Sequence, residues 1–361
     1  MLQAHDGDVQ RAAAHLNVDP SEILDFSSNV TPRPVPDAVR QAMSDAAGDL
    51  GRYPDPEARA LCERMAQLHG TMAEEVLAGS GSTEFLYAVP RALRPRRVVV
   101  PAPCYHEYWR AVERAGGEAE GILAGEDAEF VPDIGQLEMH VSGADMVLLG
   151  NPNNPTGVAL PAEAIRGLAT MFPRAQFLVD ESLAEFSPDS SGVSLLGAER
   201  PDNVMVLRSV SAFHGLPGLR LGFLIASPET CRQVAATREP WTASAAAQRA
   251  GIALLDAGLD IAAMRQEAIA ERERVRDALA EVSGLRVFRS QANFLLVRLT
   301  KPGFTSATFC ERMLSQKILV RNAAGFRGLD SRFARISIRS APENDQLLTA
   351  VGNALNESKW K

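Results

Sequence analysis

The sequence is short of three features that would each indicate a particular class of protein: cysteine pairs, excess positive charge and long apolar runs. Its 361 residues contain four cysteines, none in the CxxC spacing of a zinc or redox site, so we expect reduced thiols. The net charge is −8, which argues against nucleic acid or an anionic membrane as a partner. No run reaches the roughly 18 apolar residues of a membrane span, and the amino terminus lacks the basic and apolar regions of a signal peptide. We therefore expect a cytoplasmic protein that binds a small molecule.

Between residues 96 and 227, short apolar runs alternate with helical patterns. Five runs rich in Val, Ile and Leu are bounded by Pro, Gly, Asn or Asp: RRVVVPAP, DMVLLGNP, AQFLVDES, NVMVLRSVS and RLGFLIAS. Such runs are typical of strands buried on both faces. The amphipathic stretch 161–172 lies between the second and third runs, where a crossover helix is needed. The pattern predicts an α/β protein with a mostly parallel sheet.

The last third of the chain predicts a smaller α+β domain. Residues 244–281 are Ala-rich and predict a long helix, with Gly258 as the point where it could break. The final helix has a capping box from Ser340 to Glu343, with Pro342 in its first turn. We predict a large domain over 36–266 and a small domain formed by 1–35 together with 267–361.

Polar segments follow three successive predicted strands, at 151–157, 180–182 and 209–222. Open α/β sheets bind ligands at the carboxyl ends of their strands, so these segments should converge. Asp180, at one such end, is either a capping or ion-paired carboxylate or the partner of a protonated pyridine nitrogen. Ser209, Ser211 and Arg220 offer two hydroxyls and a guanidinium to a phosphate.

Two further segments add to this site. The Gly-rich segment 79–85 precedes a helical pattern and can supply backbone N–H groups to the same phosphate, although it could also be a simple tight turn. Tyr105 could lie flat on an aromatic ligand, but an aromatic residue there is at least as often part of the core.

Together these segments resemble the fold type I pyridoxal 5′-phosphate (PLP) enzymes of the aminotransferase class I/II group. The resemblance covers nearly the whole chain through the segments ILDFSSNVTP, RYPDPEARAL, NPNNPTG, VDES, PGLRLGFLIASPE, REPW, ANFLLVRL and VRNAAGFRGLDSRFARISIR. The branch that looks most similar is that of the threonine-phosphate decarboxylases of cobalamin synthesis, followed by the histidinol-phosphate aminotransferases. FRGL followed by RISIR, and HDGD near the amino terminus, favour the decarboxylases.

The resemblance implies PLP as cofactor and assigns its contacts. Asn154 would bind the phenolic oxygen of PLP, Asp180 its pyridine nitrogen and Tyr105 the face of its ring. The phosphate would be held by Ser82, Thr83, Ser209, Ser211 and Arg220. Tyr53 is similar to a tyrosine that reaches the phosphate from the neighbouring subunit, which implies a homodimer with shared active sites.

The resemblance also implies an anionic, phosphorylated amino acid as substrate. Arg335 would bind its α-carboxylate, while Arg321, His5 and Asn29 are the further candidates for substrate binding. Taken one at a time, arginines are usually solvated surface charges. Four of them within nineteen positions favour anion binding by at least two: Arg321, Arg327, Arg335 and Arg339. No pair of histidines has metal-ligand spacing, so no metal is expected.

The chain departs from the family pattern at its most important position. The loop 209–222 contains no lysine, and Ala212 stands where the resemblance places the lysine that binds PLP covalently as a Schiff base. Arg220 keeps the expected spacing of eight residues from that position. Ser182, Leu183 and Ser244 also differ from the usual residues.

Two explanations for Ala212 stay open at the level of sequence. One is an engineered Lys→Ala variant that traps the bound substrate, and the other is a natural protein without activity. The retained phosphate-binding residues favour the first. For the parent enzyme the resemblance implies decarboxylation of a substrate like O-phosphothreonine as the leading hypothesis, with transamination of the histidinol-phosphate type as the alternative. A third hypothesis, of a different class, is a regulator that binds ligand without turnover.

Overall fold

The computed structural model describes residues 7–197 and 199–356. Its strands are β1 (Leu24–Phe26), β2 (Val76–Gly79), β3 (Arg97–Ala102), β4 (Glu118–Leu123), β5 (Met146–Gly150), β6 (Gln176–Asp180), β7 (Val204–Ser209), β8 (Gly222–Ile225), β9 (Leu285–Val287), β10 (Phe294–Leu299), β11 (Ile318–Asn322) and β12 (Phe333–Ser337). Its α-helices are α1 (Val9–Leu16), α2 (Asp37–Ala46), α3 (Arg59–His69), α4 (Ser82–Leu93), α5 (His106–Arg114), α6 (Ile134–Val141), α7 (Ala162–Met171), α8 (Ser190–Val193), α9 (Pro228–Ala235), α10 (Ala245–Leu255), α11 (Ile261–Ala280), α12 (Ser306–Leu314) and α13 (Ala341–Leu355).

Seven strands form the larger sheet, in the order β2-β8-β7-β6-β5-β3-β4. The five adjacent strands β4, β3, β5, β6 and β7 pair in parallel, whereas β8 runs antiparallel to both of its neighbours. The predicted α/β class and mostly parallel sheet are therefore confirmed. All five predicted strand segments contain a strand, and α7 occupies the predicted crossover stretch.

The larger sheet is buried on both faces, and alternate residues of its central strands pack in two different hydrophobic clusters, one on each face. On β3, Val98 and Val100 pack with residues of α4, α5 and α9, whereas Val99 packs with residues of α6 and α7. All three valines are fully buried. Helices on both faces leave the strand ends as the places where polar side chains can reach a ligand.

The smaller sheet has five strands, in the order β1-β11-β12-β10-β9. β1 comes from the amino-terminal part of the chain and pairs in parallel with β11, and the other pairs are antiparallel. Residues of α11, α12 and α13 pack with this sheet in one buried cluster. The pairing of β1 with β11 agrees with the predicted association of the chain's two ends, and the domain boundaries stay a prediction.

The long helix predicted for residues 244–281 is two helices. α10 ends at Leu255 and α11 begins at Ile261, with Gly258 between them at a φ of 62°. This left-handed conformation is accessible to glycine without a Cβ clash. Ser340 and Glu343 form the predicted capping box at the start of α13. In the described part of the chain, no helix is long and apolar enough to cross a membrane.

Candidate active site

The carboxyl ends of β5, β6 and β7 open into one cavity of about 320 Å³, which polar and apolar side chains line together. This volume lies at the lower end of the range for small-molecule sites. Ten of the predicted site residues line the cavity: Asn29, Ser82, Thr83, Tyr105, Asn154, Asp180, Ser209, Ser211, Ala212 and Arg220. The structure thus brings together side chains that are up to 191 positions apart in the sequence, from Asn29 to Arg220.

One end of the cavity has the features of a phosphate site. Ser82 and Thr83 are the first residues of α4, so the N-terminal N–H groups and the positive end of the helix dipole face this end. Two glycines allow β8 and Arg220 to lie close to the start of α4. A Cβ on Gly222 would lie 2.1 Å from the backbone nitrogen of Ser82, and a Cβ on Gly81 would lie 2.7 Å from Nη2 of Arg220. Arg220 therefore lies directly against the start of α4.

The cavity wall also contains the carboxylate of Asp180, the last residue of β6. Its Oδ1 accepts hydrogen bonds from the backbone N–H (3.0 Å) and the hydroxyl (2.5 Å) of Ser182. Its Oδ2 accepts one from the hydroxyl of Tyr108 at 3.0 Å. Burial raises the pKa of Asp180 above its ordinary value, while these hydrogen bonds act in the opposite direction. A partly buried carboxylate with remaining acceptor capacity suits a cationic donor such as a protonated pyridine nitrogen.

Behind the cavity wall, Arg335 on β12 is fully buried. Its Nη1 donates to Oδ1 of Asn154 at 2.5 Å, and its Nη2 donates to the carbonyl of Ser27. Asn29 lines the cavity itself and its Oδ1 accepts from the hydroxyl of Ser337. Arg335 is therefore a buried cation held one side chain away from the cavity, and not a solvated surface charge.

Ala212 lies in an apolar part of the wall. It is 8% exposed and belongs to a cluster with other buried residues: Leu183, Phe186, Phe213, Ala292 and Phe294. Of the four lysines in the sequence, Lys301 and Lys317 fall in the described part. Lys301 bonds to the carbonyl of Leu355 and Lys317 pairs with Glu22, so neither lines the cavity.

Several predicted residues lie away from the cavity. Tyr53 is 84% exposed, and its ring lies 5.2 Å from that of Trp241. Arg321 stands opposite Arg335 in the β11–β12 pairing, with its guanidinium 5.7 Å from the ring of Phe326. His5 lies outside the described residues.

The other two arginines of the predicted group are engaged on the protein itself. Arg327 is paired with Glu113 at 3.6 Å and lies over the ring of Trp109. Arg339 is paired with Glu343 at 2.7 Å. Within the described residues, no group of three or more His, Cys, Asp or Glu side chains could hold a metal ion.

The roles of Tyr108 and Ser182 were not found from the sequence. Tyr108 follows Tyr105 by three residues, which places both near the start of α5, and its ring is almost fully buried. A buried tyrosine hydroxyl needs a partner, and that requirement was the available signal. Its partner Asp180 lies 72 positions away, so only the fold identifies it.

The sequence is similar to one family and to two kinds of enzyme related to it. Residues 21–351 match the family model described as aminotransferase class I and II. The chain is 33% identical to threonine-phosphate decarboxylase from Salmonella typhimurium, over 98% of this chain and 96% of that protein. It is 36% identical to histidinol-phosphate aminotransferase from Rubrobacter xylanophilus, over 88% of each.

Among solved structures, histidinol-phosphate aminotransferase from Sinorhizobium meliloti in complex with PLP superposes with a TM-score of 0.86. It is 24% identical and covers 98% of this chain and 95% of that chain. This similarity confirms the predicted fold type I architecture. Enzymes of the matched family use PLP, so the predicted cofactor agrees with the family. The chain belongs to the aminotransferase class I and II family.

Proposed function

We propose that the cavity binds PLP together with an anionic amino acid, and that it is built for α-decarboxylation of a phosphorylated amino acid of the O-phosphothreonine type. One observation carries the cofactor part of this proposal. A partly buried carboxylate and a helix N-terminus with Arg220, in the wall of one cavity, match the two charged groups of PLP, its protonated ring nitrogen and its phosphate.

The chain's own residues divide the work of binding the cofactor. Ser82, Thr83, Ser209, Ser211 and Arg220 would hold the phosphate. Asp180 would keep the pyridine nitrogen protonated, Tyr105 would lie on the ring, and Asn154 would bind the phenolic oxygen. Bound there, PLP supplies the electron sink for the bond that is broken at Cα of the substrate.

Arg335 would bind the α-carboxylate of the substrate through its guanidinium fork. Its existing bond to Asn154 holds it close to the proposed cofactor position. We also assign Arg321 and His5 to the substrate phosphate, although Arg321 does not line the cavity and His5 lies outside the described residues; Asn29 lines the cavity wall. Fixing both ends of the substrate would set the Cα–carboxylate bond perpendicular to the ring, where its cleavage is favoured.

The alternative is amino-group transfer with a phosphorylated amine, which the identity to histidinol-phosphate aminotransferases supports. The same residues would then hold the Cα–H bond perpendicular to the ring. The full-length identity to threonine-phosphate decarboxylase supports the first assignment. The exposed Tyr53, which we assign to the cofactor phosphate of a second subunit, supports a homodimer in both cases.

Ala212 would limit the chain as it stands. We assign it to the position of the covalent lysine because Arg220 follows it by eight residues and both line the cavity. A methyl group neither bonds the cofactor nor moves a proton at Cα. We therefore expect this chain to bind its ligands without normal turnover, as an engineered Lys→Ala variant would.

The test is Ala212→Lys with PLP and O-phosphothreonine, with carbon dioxide and keto acid measured in parallel. We expect carbon dioxide without keto acid, and covalent PLP on residue 212 after borohydride reduction. Ala212→Met is the matched control, because it has similar length but no amine. Keto acid without carbon dioxide would replace decarboxylation by transamination, and failure of both variants to bind PLP would refute the cofactor assignment.

A further inference from the structure

Ser182 connects the carboxylate of Asp180 to the start of α4. Its hydroxyl oxygen lies 2.5 Å from Oδ1 of Asp180 and 3.1 Å from the hydroxyl oxygen of Ser82. Ser82 is the first residue of α4, in the proposed phosphate site. One side chain therefore bridges the carboxylate and the helix N-terminus.

The direction of these hydrogen bonds follows from counting protons. A serine hydroxyl has one proton to donate, and an ionised carboxylate can only accept. With Asp180 ionised, as pairing with a protonated pyridine nitrogen requires, the one proton of Ser182 goes to Asp180 over the shorter distance, and the Ser82–Ser182 contact is left for the hydroxyl of Ser82 to donate. In that arrangement the one proton of the Ser82 hydroxyl is used by Ser182 and is not available to a phosphate.

We propose that Ser182 is a positioning residue that fixes the Asp180 carboxylate for the pyridine nitrogen and competes with phosphate for the hydroxyl of Ser82. The proposal rests on the proposed function. With Oδ1 occupied by the two donors of Ser182, and Oδ2 taking only Tyr108, the acceptor capacity left for the ring nitrogen is on Oδ2. Loss of the Ser182 hydroxyl would loosen the ring end and release Ser82 at the phosphate end.

Opposite effects at the two ends make this testable with Ser182→Ala. The ligands are PLP, its carbocyclic analogue with CH in place of the ring nitrogen, and inorganic phosphate. We expect the Kd of PLP to rise about tenfold, as for a lost hydrogen bond to a charged group. The affinity for inorganic phosphate is expected not to fall, and the advantage of PLP over the analogue should shrink.

A spectroscopic readout separates positioning from general damage. In protein loaded with PLP labelled at the ring nitrogen, the ¹⁵N shift in Ser182→Ala should move towards the unprotonated form. Ser182→Thr keeps a hydroxyl and should restore both the shift and the affinity.

Ser194→Ala is the matched control, because the Ser194 hydroxyl donates to buried Glu181 at 2.7 Å outside the cavity. It should leave PLP affinity and the ¹⁵N shift unchanged. Two outcomes with Ser182→Ala would overturn the role of Ser182 and leave the proposed function intact. One is parallel weakening of PLP binding and phosphate binding, and the other is an unchanged PLP affinity or an unchanged ¹⁵N shift. Failure of the unaltered protein to bind PLP would instead overturn the proposed function and, with it, this proposal.

Discussion

Replacing Asp180 by Asn tests the centre of the proposed site with almost no change in shape. The carboxylate accepts three hydrogen bonds, two from Ser182 at Oδ1 and one from Tyr108 at Oδ2. An amide has one donor and one acceptor end. Its NH₂ group would face two donors if placed at Oδ1, so it should take the Oδ2 position, towards the ring nitrogen.

This orientation of the amide determines how much PLP affinity is lost. A protonated ring nitrogen would meet a donor, so the ring must lose its proton or its partner. Breaking one side of a buried, hydrogen-bonded charge pair costs about 3 to 4 kcal/mol at the lower end of observed values, or roughly 100- to 1,000-fold in Kd. Inorganic phosphate does not contact Asp180 in this scheme, so its affinity should be unchanged.

Calorimetric titration of the apoprotein with PLP and with phosphate measures both quantities. Glu181→Gln is the control, because Glu181 is the adjacent buried carboxylate but bonds Ser194 and the backbone of Leu195 away from the cavity. PLP binding to Asp180→Asn within about threefold of the unaltered protein would refute the reasoning. Equal weakening by Glu181→Gln would do the same.

Three further predictions follow from the same geometry. Gly222→Ala should lower both the thermal stability of the protein and its phosphate affinity, because the added Cβ would lie 2.1 Å from the backbone nitrogen of Ser82. Calorimetry measures both quantities, and unchanged values for both would contradict the close approach of residue 222 to Ser82. Burial raises the folded-state pKa of Asp180 above 3.8, so the contribution of Asp180 to apoprotein stability is fully present below pH 3.8 and is lost as the pH rises through the raised pKa. Asp180→Asn should therefore flatten this part of the plot of melting temperature against pH. An unchanged plot would count against the raised pKa. Arg335→Lys replaces a fork that bonds Asn154 and Ser27 by a point charge, so amino acid affinity should fall at least tenfold, while PLP affinity, which depends on Arg335 only through Asn154, should fall less. Competition binding measures both affinities, and equal losses for both ligands would exclude a substrate role.

The larger sheet was predictable because its strands are buried on both faces and leave uninterrupted apolar runs. Val98, Val99 and Val100 are such a run, and each residue packs in a helix-covered cluster. The antiparallel direction of β8 was not predictable, because an apolar run has the same composition in either direction. Its pairing with both β2 and β7 depends on contacts between distant parts of the chain.

The candidate site was predictable to the extent that its residues lie at strand ends. Asp180, Ser209 and Asn154 meet for that reason. The hydrogen bonds of Asp180 with Tyr108, and of Ser182 with Ser82, join residues 72 and 100 positions apart and have no local signal. Tyr53 faces outward in the single chain, so its assignment depends on a second subunit and stays a prediction.

The position of the lysines has a practical consequence. Residues 1–300 contain none, so a protease that cuts after lysine leaves the whole cavity-forming part of the chain on one fragment. In Ala212→Lys the introduced residue would be the single cleavage point before Lys301. PLP fixed there by reduction would block that cut, and the intact fragment would report site occupancy on a gel without any measurement of turnover.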